Sequence, residues 1–374
     1  MRQQTQKSIK AFRFIGSRVE APTEAESVPA VVRAQREAIT AVVVSADGQY
    51  AYAASKDGTV AKFYVPAGAR VATYAKSEHR TGRGQAHTAR VLALALTTDG
   101  RVLAAGGEDH AIHLWDTERD ARIDTLSGHR DAVTALAFRA NTRQLFSAGR
   151  DRTVKVWNAD SLAYVEALFG HQAEVLALAS LDRERVVSVG ADSTCRVWKI
   201  VEQSQLVFHG HRGAIEAVAL LNDNIWVAGG QDGAVSLWLA SKRAPVDFRD
   251  RAHGGRWITA VAACPRTDLI ATGSSDGFVR LWSLSRTGSG SRDGARRAGQ
   301  AAAATMGLPK LQLQKAIPIA GFVNGLAFSA SGELLVVGVG KEHRLGRWET
   351  ISAARNGVVF VPLSFRASED AADD

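Results

Sequence analysis

Five histidines recur along this 374-residue chain, each followed by an aspartate and then a tryptophan. They are His87, His129, His171, His211 and His253, and the steps between them are 42, 42, 40 and 42 residues. Asp109, Asp151, Asp192, Asp232 and Asp276 each stand six residues before Trp115, Trp157, Trp198, Trp238 and Trp282. Histidine with a carboxylate is the material of acid–base and metal chemistry. The regularity of the spacing argues for a structural role instead. A buried His, Asp, strand Ser or Thr and Trp indole would satisfy one another's hydrogen bonds. In the third unit that set is His129, Ser147, Asp151 and Trp157. The next units carry His171, Asp192 and Trp198, then His211, Asp232 and Trp238.

A period near 40, opened by Gly-His or Ala-His and closed by Trp, is the signature of the WD-repeat β-propeller. Two further units fit with a degraded pattern. One runs from Gln35, in the His place, through Asp57 to Phe63, in the Trp place. The other ends at Trp348, with Glu342 in the Asp place. Each unit reads as four short strands, in the third Ala132–Phe138, Gln144–Ala148, Thr153–Asn158 and Tyr164–Phe169. Alternating apolar residues with Gly, Asp and Asn at the turns favour strands, and no stretch keeps a helical period. The expectation is an all-β, seven-bladed WD-repeat β-propeller over residues 28–363. Residues 28–33 and 358–363 both read as edge strands of the last blade. The reading favours the N-terminal segment there, with 358–363 packed beside it.

Outside the ring the sequence predicts a basic extension (1–27), a flexible basic insertion at about 285–309 and an acidic tail (364–374). A shorter basic insertion, AKSEHRTGRGQ, precedes the second blade. Two cysteines rule out a disulfide framework and fit a reducing compartment. The first residues lack the apolar core of a signal peptide, and no run is long enough to span a membrane. Enzymatic signatures are missing. GVGKEHR (338–344) holds a Gly-Lys pair but not a phosphate-loop frame. There is no nucleophile elbow and no Cys/His pairing. His79, His110, His113, His209 and His343 lie off the repeat without metal-ligand spacing. The expectation is a non-enzyme with no cofactor and no metal.

Positions that vary from blade to blade hold the remaining information. The residues before the turn Asp are Lys56, Glu108, Arg150, Ala191, Gln231, Ser275 and Lys341. Those after the His place are Arg36, Thr88, Arg130, Gln172, Arg212 and Gly254. Both sets project onto one rim of a propeller, and Arg344 and Arg347 follow closely in the last blade. With a net charge of +8, a basic rim suits phosphates. The plainer alternative is solvated surface, or pairing with Asp131 and Glu37.

Several peptides are not propeller consensus: GHRDAVTALAFR (128–139), DRTVKVWNADSLAYVEALFGHQ (151–172), EQSQLVFHGH (202–211), TDLIATGSSDGFVRLW (267–282), IPIAGFVNGLAFSASGELLVVGVGKEHRLGRW (317–348) and AARNGVVFVPL (353–363). Together they resemble the U3 small nucleolar RNA-interacting WD-repeat family, over nearly the whole of residues 28–363. GVGKEHRLGRW is the most specific piece. The resemblance implies a non-catalytic subunit of the U3 small nucleolar ribonucleoprotein, acting in pre-ribosomal RNA processing in the nucleus and nucleolus. It implies binding to the box B/C kink-turn region of U3 RNA together with the kink-turn-binding protein. Other box C/D core proteins and processome subunits are further implied partners, with the chain monomeric in the particle and no membrane. Candidate RNA or partner contacts are Lys56, Arg130, Arg139, Arg143, Arg150, Lys341, His343, Arg344 and Arg347. The alternative is a general propeller adaptor, such as a ubiquitin-ligase substrate receptor or chromatin scaffold.

Overall fold

The third unit shows how one repeat folds. Val133–Phe138 pairs antiparallel with Gln144–Gly149, which pairs with Thr153–Asn158, which pairs with Ala163–Phe169. Asp151 shapes the turn between the second and third strands. Its Oδ1 accepts the Thr153 backbone N–H (3.1 Å) and hydroxyl (2.8 Å). Its Oδ2 reaches back to the His129 Nδ1 (2.8 Å) and the Arg130 N–H (3.0 Å). Ser147 joins the His129 Nε2 (2.7 Å) to the Trp157 Nε1 (2.8 Å). The potential chemistry of the repeat is thus consumed in a closed hydrogen-bond network.

The computed structural model describes residues 12–22, 24, 28–33, 35–74, 89–285 and 308–366. Seven such sheets form a ring, six with four strands and the last with three. His87, the AKSEHRTGRGQ segment, most of the 285–309 insertion and most of the acidic tail lie outside the described residues. His171, Ser188, Asp192 and Trp198 repeat the network in blade four. Blade five departs from it, with Ala228 in the serine place. There Ser236, two residues before Trp238, supplies the hydroxyl to both His211 (2.6 Å) and the indole (2.8 Å).

Neighbouring blades pack through their inner strands. At Gly229 a Cβ would come within 2.3 Å of Ile258, and at Gly338 within 2.7 Å of Ile39, which closes the ring from blade seven to blade one. Inner-strand side chains also hydrogen-bond the next blade. The Thr40 hydroxyl donates to the Val91 carbonyl (2.6 Å), Thr259 to Val323 (2.6 Å) and the Asn324 amide to Ile39 (2.9 Å).

Blade seven corrects the sequence reading. Its third strand is Gly357–Pro362, not a strand ending at Trp348. Val361 lies opposite Leu335 as Trp157 lies opposite Leu145, so Val361 holds the tryptophan place. Residues 341–356 form a long loop between the second and third strands, and Trp348 is exposed on it. The outer position is filled from the N-terminal side. Val32 donates to the Val358 carbonyl (2.8 Å) and accepts from its N–H (3.0 Å).

The two flanks also belong to the propeller body. The buried Asp268 carboxylate accepts the N–H groups of Ile15 (2.7 Å) and Gly16 (2.8 Å). Val19–Glu20 pairs with Ser364–Phe365. The ordered unit therefore begins before residue 28 and runs past residue 363.

The scaffold aspartates make acid stability predictable. Burial raises the Asp151, Asp192 and Asp232 carboxyls, but donors from histidine and backbone outweigh it and hold all three below the ordinary range. Burial raises Asp276 as well, but His253 and Arg280 outweigh it and hold the carboxyl at about 2. Such groups contribute stability that is complete above the unfolded value of about 3.9 and lost as pH falls through the folded one. The ring should lose stability steeply between pH about 4 and about 2, and Asp151→Asn should flatten that limb. Urea midpoints across the range test it; an identical slope in the variant counts against the assignment.

Candidate nucleic-acid interface on the histidine face

Antiparallel meander topology sorts the loops onto two faces. Turns between second and third strands, and loops from one blade into the next, share the histidine face. Turns between first and second strands share the opposite face. The candidate contacts divide accordingly. Lys56, Arg130, Arg150, Lys341, His343, Arg344 and Arg347 belong to the histidine face. Arg139 and Arg143 border the Phe138-to-Gln144 turn of blade three, on the opposite face. Arg143 pairs with Asp99 (2.7 Å) and Asp160 (3.5 Å). Arg139 pairs with Glu184 (3.4 Å) and donates to the Asp182 carbonyl (3.0 Å).

Three residues on the histidine face are internal. The Lys56 ammonium is fully buried, donating to Glu342 (2.9 Å) and to the Gly346 carbonyl (3.1 Å). Burial lowers its pKa, and Glu342 opposes that shift. His343 is buried, and burial, then Arg344 and Lys56, bring its pKa down to about 3. Arg344 enters the central channel. Its Nη2 donates to the Glu216 carboxylate (3.3 Å) and to the carbonyls of Glu216 (3.2 Å) and Leu176 (3.4 Å). Glu216 also accepts from Gln231 (2.8 Å). A loop of blade seven is thereby strapped to blades four and five, across a channel lined by the inner strands of all seven blades. These three side chains were expected as RNA or partner contacts; they are buried and bonded within the ring instead.

The other cations of this face remain in solvent. Arg36, Arg130, Arg152, Arg212 and Lys341 are exposed, and none has a carboxylate partner among the described residues. Arg150 pairs with Glu174 (3.5 Å), and Arg347 with Glu37 (3.3 Å) and Glu342 (3.0 Å). On the opposite face six arginines are paired, although Lys242 and Arg243 there are exposed with no carboxylate partner among the described residues. Arg101, Arg139, Arg143, Arg183, Arg185 and Arg266 there each meet an Asp or Glu. The five unpaired cations give the histidine face an unscreened positive potential.

Sequence reasoning passed over Arg152, Arg256 and Trp257 on this side. A spacing signal existed for the last two. His253 to Ile258 is five residues, where His129 to Val133 is four. Gly254 and Gly255, both at positive φ, accommodate the extra residue and turn Arg256 and Trp257 outward. Among the described residues, no three His, Cys, Asp or Glu side chains converge as a metal site would require. Among those residues no helix is long and apolar enough to cross a membrane.

Comparison with known proteins follows the same outline. The family model of the WD domain, G-beta repeat, matches residues 28–61, 79–116, 121–158, 163–199, 202–238 and 248–283. U3 small nucleolar RNA-interacting protein 2 of Homo sapiens is 41% identical over 362 residues, covering 94% of this chain and 72% of the relative. Ribosomal RNA-processing protein 9 of Saccharomyces cerevisiae is 24% identical over 399 residues, covering 83% of this chain and 66% of the relative. A solved structure of U3-55K superposes with a TM-score of 0.82 at 41% identity, covering 91% of this chain and all of that one.

Proposed function

The chain belongs to the family of U3 small nucleolar RNA-interacting protein 2, and from that premise we propose that it is a non-catalytic RNA-binding subunit of the U3 small nucleolar ribonucleoprotein. Its role is in ribosomal RNA processing, the process named in the yeast relative. The site of action is the nucleolus. The RNA element is the box B/C kink-turn region, bound together with the kink-turn-binding protein and beside other box C/D core and processome subunits. The chain acts as a monomer and needs no cofactor.

One observation carries the proposal: Arg36, Arg130, Arg152, Arg212 and Lys341, exposed and without carboxylate partners among the described residues, gather on the histidine face, while six arginines of the opposite face are paired. Structured RNA is recognised through phosphates and shape, which a rigid rim of arginines suits. The adaptor alternative is less favoured. Peptide capture at the channel mouth would have to displace Arg344 from its buried bonds to Glu216.

A gel-shift titration with the U3 box B/C stem, with and without the kink-turn-binding protein and at several salt concentrations, tests the reading. Binding should fall steeply with salt, because each phosphate contact releases condensed counterions. Arg130→Ala and Arg212→Ala should each reduce the log–log salt slope by about one without altering the melting temperature. Absence of binding under both conditions would move the function to a protein adaptor.

A further inference from the structure

Two of the chain's eight tryptophans are exposed, and they touch each other. The other six are buried, while Trp257 is 39% and Trp348 57% exposed. Their ring centroids are 5.7 Å apart with the planes tilted by 56°. Both rest on the buried His343, whose ring lies 4.9 Å from Trp348 and 6.1 Å from Trp257. Gly346 makes room for this arrangement, since a Cβ there would sit 1.8 Å from the Trp348 ring. The His343 Nδ1 accepts the Leu345 N–H (3.2 Å), which leaves the proton on Nε2. That buried N–H has no hydrogen-bond partner. Neutral histidine gives the indoles an uncharged floor carrying one spare donor.

The surroundings are polar, with Arg347 held by Glu37 and Glu342. Lys341 is exposed, Arg347 is exposed beside Trp348, and Arg256, next to Trp257, reaches Glu349 (3.0 Å). The apolar patch is only two rings wide. A stable protein interface needs roughly 800 Å² from each partner around an apolar centre. Two indoles bordered by the unpaired Lys341 match a single nucleobase with a flanking phosphate, and aromatic side chains stack on any unpaired base.

We propose that Trp348 and Trp257, supported by His343, form a stacking platform for one unpaired RNA base, with the unpaired Lys341 at a flanking phosphate. The platform rests on the RNA-binding reading and adds to it a part that distinguishes unpaired from paired RNA. The buried bases of a duplex cannot reach it.

The test uses the full chain with two probes, a single-stranded oligoadenylate and a blunt RNA duplex of equal charge, at low salt. Oligoadenylate should quench tryptophan fluorescence and protect it from acrylamide, because the accessible indoles are the stacking ones. Trp348→Ala should weaken oligoadenylate binding about tenfold and leave duplex affinity within about twofold, and Trp348→Phe should restore most of the loss. Equal weakening for both probes, or none for either, would overturn the platform while wild-type binding keeps the RNA reading intact. A wild-type chain that binds neither probe overturns both. Acrylamide protection by the kink-turn-binding protein without RNA would also overturn the platform, by giving the patch to a protein.

Discussion

Trp157→Ala is expected to cost about 3–5 kcal/mol of stability, the range for emptying a large aromatic site in a core. Trp157 is 2% exposed and packs against the core that holds Val133, Leu136, Phe138 and Leu145. Gly128 lies against the outer edge of its ring and Tyr164 meets it edge-on, so its neighbours leave little room to collapse. The loss is more than volume. Ser147 holds both the indole and His129, so removing the indole strips one donor from a buried network. Trp348→Ala is the control, since its exposed site makes the expected change no more than about 0.5 kcal/mol. Urea midpoints at constant m-value separate the two. Equal effects would undo the assignment of Trp157 to the scaffold and of Trp348 to the loop.

That contrast also shows where sequence reasoning stops. The fold was legible because blades three to six share the same kind of buried polar set, and burial forces those residues to recur at a fixed interval. Blade seven was misread for a physical reason. Its third strand carries Val361 in the tryptophan place, so no polar network is needed there and no marker residue survives. The loop before it contains a tryptophan and a glutamate that mimic the pattern. Ser236 was hidden in another way. Its hydroxyl substitutes for one expected on the neighbouring strand, a relation visible only once Ala228 and Ser236 are paired across the sheet.

The basic rim was legible in sign but not in pairing. Arg130 and Arg143 look alike in sequence, yet Arg143 meets Asp99 from the preceding blade while Arg130 meets no carboxylate among the described residues. Lys56 and Glu342 are 286 positions apart and join only because the ring closes. Charge counting finds candidate cations. Only the three-dimensional arrangement says which of them have already spent their charge.

Glu216→Ala is expected to cost about 3–5 kcal/mol, because it leaves the Arg344 guanidinium in the channel without its carboxylate. Glu216 is 2% and Arg344 8% exposed, so water does little to compensate. Arg344→Ala should destabilise for the mirror reason, although Gln231 still serves one Glu216 oxygen (2.8 Å). Replacing both by apolar residues of similar volume should recover much of the loss, since it removes the unpaired charge as well as the pair. The double-mutant cycle read from urea midpoints measures that coupling. The functional consequence travels through residues 341–356. Arg344 anchors the loop that carries His343, Arg347 and Trp348, so cutting the strap should weaken RNA binding together with stability. The apolar double variant should restore stability more fully than binding, because packing alone does not reproduce the fixed direction of the guanidinium bonds. Charge reversal at Arg344 therefore does not isolate an RNA contact, since it sets a second carboxylate beside Glu216. Lys341→Glu, at an exposed position, isolates one. If Arg344→Ala lowers RNA affinity and leaves the urea midpoint unchanged, the guanidinium belongs to the RNA and the strap does not hold the loop.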